Sequence, residues 1–416
     1  MKNSRFFMIV LFLPAIVLFT AATAMAGGLY INEFATPSMG AAGAGAEAWA
    51  VDASTAFHNP AGMTRLEEDQ IMMGSGILLT SVNSDLRDDP SDAITITGGD
   101  GGDAGTFSPL LTTYWVKKLS EQWSLGLNVL SISGSLIDYD DSWVGRFQAQ
   151  DVSLLTVTVN PSLGYRVNDW LSVGAGVGLI VARLEMDLAI PQLLTPPDPT
   201  SGGEGQASLE GEDTETHFNL GALFEVSDRT RIGWVYWSEV EPTFSGDLSV
   251  FPQASTVSID TTFPLAQWSR VALYHELSEK VALVSTVAWE DWSALKNYNI
   301  TADPTGSTVS LARNWKDVWK YAIGAHIRLS DDLLFLTGAA YDTAPMDKED
   351  RSADLPVDRQ IRLATGLQYR YAQGVTVGGS VLYADLGDAE IQKRGITGDY
   401  DENSLLALGF NINLEL

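Results

Sequence analysis

From about Glu68 to Leu416 the chain repeats one pattern: apolar residues at every second position for roughly ten residues, then a turn. Leu171, Val173, Ala175, Val177, Leu179 and Val181 alternate with Ser172, Gly174, Gly176, Gly178 and Ile180. Trp319, Tyr321, Ile323, Ala325, Ile327 and Leu329 alternate with Lys320, Ala322, Gly324, His326 and Arg328. A strand sets successive side chains on opposite faces, so each segment has one greasy face and one small or polar face. A tilted strand of roughly ten such residues crosses the bilayer's apolar layer of about 30 Å. Many in series predict a closed barrel, because lipid offers no water to satisfy an open sheet edge.

Short polar turns recur at Leu119–Gln122, Val167–Asp169, Val226–Arg229, Leu277–Lys280, Leu329–Asp332 and Ala372–Gly374, each flanked by alternating segments. Longer insertions rich in Gly, Pro, Asp, Ser and Thr lie between them, the asymmetry of bacterial barrels. Strands on both sides of every turn and loop number about fourteen, an even count. They run from 69–82 to 402–416 and include 106–118, 123–136, 150–166, 170–183 and 214–226. Aromatics near strand ends (Trp123, Trp170, Trp237, Trp292, Trp315 and Tyr371) suit interfacial girdles. The predicted fold is therefore an all-β, 14-stranded antiparallel transmembrane barrel over residues 68–416, with an N-terminal plug in its lumen.

That plug is residues 27–67. They are rich in Gly and Ala and lack sustained alternation, yet Asn59-Pro60-Ala61 and the spacing of Leu29, Ile31, Phe34, Trp49, Val51 and Phe57 indicate a folded piece. Side chains alone cannot fill a lumen of about fourteen strands, so a plug inside it is the economical home. Residues 1–26 read as a signal peptide: Lys2 and Arg5, an apolar run from Phe6 to Phe19, and Ala24-Met25-Ala26 before Gly27. No later run of about 18 apolar residues exists, which leaves no helical span.

The formal net charge of −28 becomes −30 once Lys2 and Arg5 are removed. Acid concentrates where loops are expected, and so acidic a surface argues against a nucleic-acid partner. The absence of cysteine excludes disulfides and thiolate metal sites. No cofactor is called for. His58, His217, His275 and His326 occupy neither a G-x-S-x-G nor an H-E-x-x-H context, so an enzyme is not indicated. His58 and His326 read as hydrogen-bonded structural residues.

Several segments carry a family likeness: Gly28-x-x-x-Asn32-Glu33-Phe34, then Gly40, Ala41, Gly43 and Gly45–Ala48, then Asn59-Pro60-Ala61. Tyr165–Asn168, Ala182-Arg183, Tyr236-x-Ser238-Glu239-Val240, Trp289–Ser293, Trp315-Lys316-Asp317, Tyr341-Asp342-x-x-Pro345 and Leu355-Pro356-x-Asp358-Arg359 follow in order. The chain resembles the FadL/TodX outer-membrane transporters of long-chain fatty acids and other hydrophobic compounds. The resemblance implies a fourteen-stranded barrel plugged by an N-terminal hatch with Asn59, Pro60 and Ala61 as its motif. It also implies passive uptake: capture at an extracellular groove, a pocket beside the hatch N-terminus, and sideways exit at a kinked third strand. Gly28, Leu29, Ile31 and Phe34 would line the hatch pocket. Expected partners are a hydrophobic ligand, outer-membrane lipid and lipopolysaccharide, and the barrel assembly machinery.

Three features bear on this route. Strand three slips phase, with Trp123, Leu125, Leu127 and Val129 apolar at odd positions and Leu130, Ile132 and Leu136 at even ones. A slip of one residue is what a bulge produces, and Gly134 would ease the kink; ordinary strand-end irregularity is the alternative. The expected loop after strand five carries Met186, Leu188, Ile190, Leu193 and Leu194, a candidate groove or simply self-packing. Arg183 and Lys316 match the family's segments and are candidate partners for a fatty-acid carboxylate, unless they serve structural ion pairs. Arg183 faces inward only if its strand slips at Ile180-Val181. Leu29 and Leu416 stand where the family usually has aromatics, which affects ligand shape and recognition by the assembly machinery. Fatty acids come first as ligands, aromatic hydrocarbons or other lipids second. A general porin, which would not need residues 27–67, and a structural or adhesive barrel are the rival readings.

Overall fold

The computed structural model describes residues 30, 33–90, 95–131, 134–190, 204–251, 255–302, 307–393 and 395–416. The expected signal peptide, Gly28, Leu29, Ile31, Leu193 and Leu194 lie outside them.

Fourteen strands form the wall. The first seven are β1 (Gln70–Ser84), β2 (Phe107–Lys118), β3 (Trp123–Leu130 with Gly134–Asp138), β4 (Asp151–Arg166), β5 (Leu171–Ile190), β6 (Gly205–Ser227) and β7 (Thr230–Trp237). The rest are β8 (Trp268–Glu276), β9 (Val281–Glu290), β10 (Val318–Arg328), β11 (Leu333–Asp342), β12 (Gln360–Ala372), β13 (Val375–Asp385) and β14 (Tyr400–Glu415). Each pairs antiparallel with its sequence neighbour, and β14 returns to β1 with Gln70 opposite Glu415. The ring therefore closes on itself, as an apolar surrounding demands. Val177, Ile323, Leu363 and Phe410 are exposed on the outer face. Their neighbours Gly178, Ala322, Ala364 and Asn411 point inward and are buried.

Tight turns close one end. At the other, several expected loops are sheet. Strands β5 and β6 run on as one long hairpin, with Met186 opposite Leu209 and Ile190 opposite Gly205. The hairpin at Thr243–Thr262 pairs edge to edge with it, and that at Asn297–Ala312 pairs in turn with Thr243–Thr262, extending one side of the wall outward. Opposite them, Tyr139 stacks on Trp143 at 3.8 Å and its hydroxyl shares a 2.8 Å hydrogen bond with that of Tyr400, anchoring an apolar cap.

Among these outer segments Arg313 forms a buried two-pronged pair with Asp354, which Ser352 also serves. Burial raises the Asp354 carboxyl, but the Arg313 charge and these hydrogen bonds outweigh it and hold it below the usual carboxylate range. A depressed carboxyl adds stability that is present above its unfolded pKa and lost as pH falls through the folded one. Amide hydrogen exchange across residues 350–357 should therefore stay slow above about pH 4 and quicken below it. Exchange indifferent to pH after correction for intrinsic rates would sever the pair from loop order.

Candidate functional site

Residues 33–66 lie inside the barrel. Their glycines and alanines permit a tightly folded path of short helical turns at Pro37–Ala41, Ala46–Trp49, Thr55–His58 and Pro60–Arg65. The first turn packs on β10–β13, the second on β7 and β8, the third on β2 and β3, and the fourth on β3, β4, β5 and β6. All but Val51 and Arg65 among residues 33–66 are buried. The wall makes room by omitting side chains. A Cβ on Gly233 would strike the Glu47 carbonyl, and one on Gly221 would strike the Asn59 amide. Ala35, Ala42 and Ala50 hold φ of 53°, 53° and 49°. A left-handed alanine costs about 1 kcal/mol and persists only where surrounding contacts dictate it.

Asn59 ties this segment together and to the wall. Its amide nitrogen donates to the carbonyls of Glu47 at 2.8 Å and of Ala222 at 2.9 Å, while its oxygen caps the next turn through the Ala61 amide at 3.1 Å. Pro60 sits in the first turn, where a missing N–H costs nothing. Asn59→Ala should loosen residues 47–65 by about 2–3 kcal/mol, from a lost cap and orphaned carbonyls. Limited proteolysis should then cut inside this segment while the barrel stays intact, and unaltered protection would contradict its anchoring role.

Buried charge holds the segment's leading end. Glu33 accepts from Lys320 at 3.1 Å and Arg362 at 2.8 Å. Arg362 also bonds Asp342 at 2.8 Å, Gln360 at 2.9 Å and the Tyr30 carbonyl at 3.4 Å. Arg270 lies 3.7 Å from Glu47 and 3.5 Å from Glu290. The Tyr30 hydroxyl donates to the Ala266 carbonyl at 2.8 Å, and its ring lies 5.1 Å from Trp292. Beside it a cavity of about 20 Å³ is framed by Trp292, Trp315, Glu290, Asp342 and Arg362. It holds one water-sized body, so any larger molecule requires this end to move.

From Tyr30 a continuous apolar cluster runs across the lumen. Trp292 and Trp315 pack at 5.4 Å; Trp237 and Trp268 stack at 5.4 Å, with Phe57 5.1 Å from Trp237. Leu184, Ala182, Ile180 and Leu154 carry the cluster to Leu130. Trp237, Trp292 and Trp315 are 2–4% exposed, so these three are lumen residues rather than girdle residues. Trp123, Trp170 and Tyr371 are exposed outside. Phase explains the correction: Trp237 shares the inward face of Arg231, Gly233 and Val235.

At Leu130 the wall changes. Up to that residue, β3 pairs β4 in one register, with Leu130 opposite Thr158; from Gly134 opposite Leu155 the register has moved by one. The chain thus has three residues on β3 between these points and two on β4, the count of a bulge. On its other side β3 pairs β2 only as far as Val129 opposite Thr113. Among the described residues Phe107–Thr112 have no ladder to β3, and contact resumes where the Asp138 amide donates to the Ala104 carbonyl at 3.2 Å. Pro109 lies in this unpaired stretch, where a strand lacking a donor is tolerated.

Other expected residues lie elsewhere. The slip falls after Leu130, not at Val129-Leu130: Leu130 shares the inward phase of Ser124, Gly126 and Asn128, and Gly134 opens the shifted half. Arg183 stays on the outer face, because the β5 ladders keep one register through Ile180-Val181; it pairs with Glu185 and Glu210. Lys316 is exposed and pairs with Asp347 at 2.6 Å. Neither reaches the lumen. Cations that do face inward among the described residues include Arg231, Arg270, Lys320 and Arg362; Lys320 and Arg362 alternate in phase with small lumen residues such as Ala322 and Ala364. Phe34 is buried against Gly76, apart from the apolar cluster. Met186 packs on the cluster's outer end, while Leu188 and Ile190 are half-buried strand residues rather than loop. His58 contacts Thr36 and Ser38 through Nε2, whereas neither ring nitrogen of the buried His326 has a hydrogen-bond partner among the described residues.

The long-chain fatty acid transport protein of Escherichia coli is 24% identical over 411 residues, covering 89% of this chain and 90% of that protein. The crystal structure of a Pseudomonas aeruginosa FadL homologue superposes with a TM-score of 0.83 at 20% identity, covering 94% of this chain and all of that one. That of the Ralstonia pickettii toluene transporter TbuX gives 0.67 at 18%, covering 94% and 99%. The sequence model of the outer membrane protein transport proteins (OMPP1/FadL/TodX) matches residues 17–412, and the chain belongs to that family, a β-barrel of the Gram-negative outer membrane.

Proposed function

We propose that the protein carries hydrophobic small molecules inward across the outer membrane without energy input, with residues 27–67 as its hatch. The observation that carries this reading is the apolar cluster that begins at the hatch's leading end and reaches Leu130, where the wall ladder is interrupted. A ligand enters beside Trp292 and Trp315 when Tyr30 shifts, Glu33 staying on Lys320 and Arg362. It then moves along Trp268, Trp237 and Ile180 and leaves between β2 and β3 into the membrane. Apolar walls make each position similar in free energy, so a ligand is neither trapped nor required to shed charge. The strained alanines help the hatch yield. The relatives' names, long-chain fatty acid transport and toluene transport, bracket the ligand class.

A general porin is disfavoured, because the inner segment occupies the lumen from wall to wall. Leu154→Asp places a charge in the middle of the route, and uptake of a labelled hydrophobic probe should fall at least about tenfold. Undiminished flux through a folded Leu154→Asp barrel would take the cluster off the route.

A further inference from the structure

Charge in the outer half of the lumen is unevenly matched. Among the described residues that form the ion-pair group around Glu33, three buried cations (Arg270, Lys320 and Arg362) meet four buried carboxylates (Glu33, Glu47, Glu290 and Asp342), an excess of one acid. Each cation is already engaged. Lys320 bonds Glu33; Arg362 divides its donors among Glu33, Asp342, Gln360 and the Tyr30 carbonyl; Arg270 lies between Glu47 and Glu290 and over the Trp268 ring at 4.4 Å. The cavity beside Trp292 and Trp315 shows an entering molecule three acids, Glu290, Asp342 and Asp358, against the single occupied Arg362. Among the described residues, buried Glu33 Oε2 and Asp342 Oδ1 have no hydrogen-bond donor, so the unused capacity here is to accept from a proton-bearing group.

We propose that Glu33, seated on Lys320 and Arg362, sets ligand charge: it occupies the cation pair a carboxylate would need, so the chamber takes uncharged amphiphiles such as long-chain alcohols in preference to fatty-acid anions. The inference rests on the chamber reading above. An ionised carboxylate would enter a low-dielectric space with no available counter-charge and with like charges nearby, whereas a hydroxyl donates to Asp342. The acidic outer loops act in the same sense on approach, repelling anions.

A matched pair tests this: an ω-bromo alcohol and the ω-bromo fatty acid of equal chain length, titrated into the purified protein at about pH 8. Bromine quenches the chamber tryptophans, and the saturable component reports affinity. The alcohol should bind at least about tenfold more tightly. Glu33→Gln frees the Lys320–Arg362 pair and should narrow that gap by tightening the acid; Asp342→Asn should do the same should the first variant not fold. Equal affinities, or a tighter acid, in the wild type overturn the proposal. An unchanged gap in a folded Glu33→Gln protein overturns the role of Glu33. Absence of saturable quenching by either probe overturns the chamber reading and this proposal with it.

Discussion

Deleting Ser131 should abolish uptake and leave the barrel folded. Between Leu130 and Gly134 strand β3 has three residues where β4 has two, and past this point the described residues of β3 share no ladder with Phe107–Thr112 of β2. Removing one residue restores a single register, and the outer half can then continue the ladder that now stops at Val129 opposite Thr113. Phe107–Thr112 would gain partners along most of their length. Unsatisfied backbone groups facing lipid are costly, so a wall able to zip shut will do so. With the wall sealed, accumulation of a labelled hydrophobic probe should drop at least about tenfold, while the folded barrel keeps its resistance to denaturing detergent. Normal flux through a wall shown to be sealed would remove the sideways exit.

The second large effect concerns Arg362. Replacing it by Met keeps much of the volume but leaves Asp342 without its ion-pair partner and Glu33 with Lys320 as its remaining hydrogen-bonded cation. Removing one partner of a buried pair costs about 3–5 kcal/mol, because the survivor stays desolvated without compensation. That loss falls on the leading end of the inner segment, since the wall around β12 is held by ladders that Arg362→Met does not touch. Hydrogen exchange should quicken across residues 33–45 and remain slow in the strands. Adding Glu33→Gln should recover part of the loss, which separates charge imbalance from lost packing. A single variant as protected as wild type would show that Glu33 does not depend on Arg362.

The barrel was legible because lipid forces it to be. Outward positions such as Val177, Ile323 and Leu363 must be apolar, so alternation marks each strand and its approximate ends. The outer hairpins were not, because Thr243–Thr262 and Asn297–Ala312 pair in water and need no greasy face. The lumen was harder. Leu130 is apolar because it lines the chamber, yet in sequence it reads as the start of a shifted lipid face. Trp237, Trp292 and Trp315 near strand ends look like interfacial residues, and only the inward phase of Trp237 with Gly233 and Val235 marks it otherwise. Arg183 required a slip that its ladders do not make. Lys320 and Arg362 carried the more reliable signal, a charge sitting on the small-residue face of a strand, and Glu33 is paired with both only after the chain returns from hundreds of positions away.

The route itself is most directly tested by locating a ligand within it. Crystals of the protein soaked with a long-chain bromoalkane should show anomalous bromine density along the apolar cluster, between Trp268 and Trp237 and onward to Leu130 beside the unpaired stretch of β2. Bromine found instead in the polar mouth at the short-turn end, among Arg231, His326 and Arg370, would contradict a path that leaves through the wall.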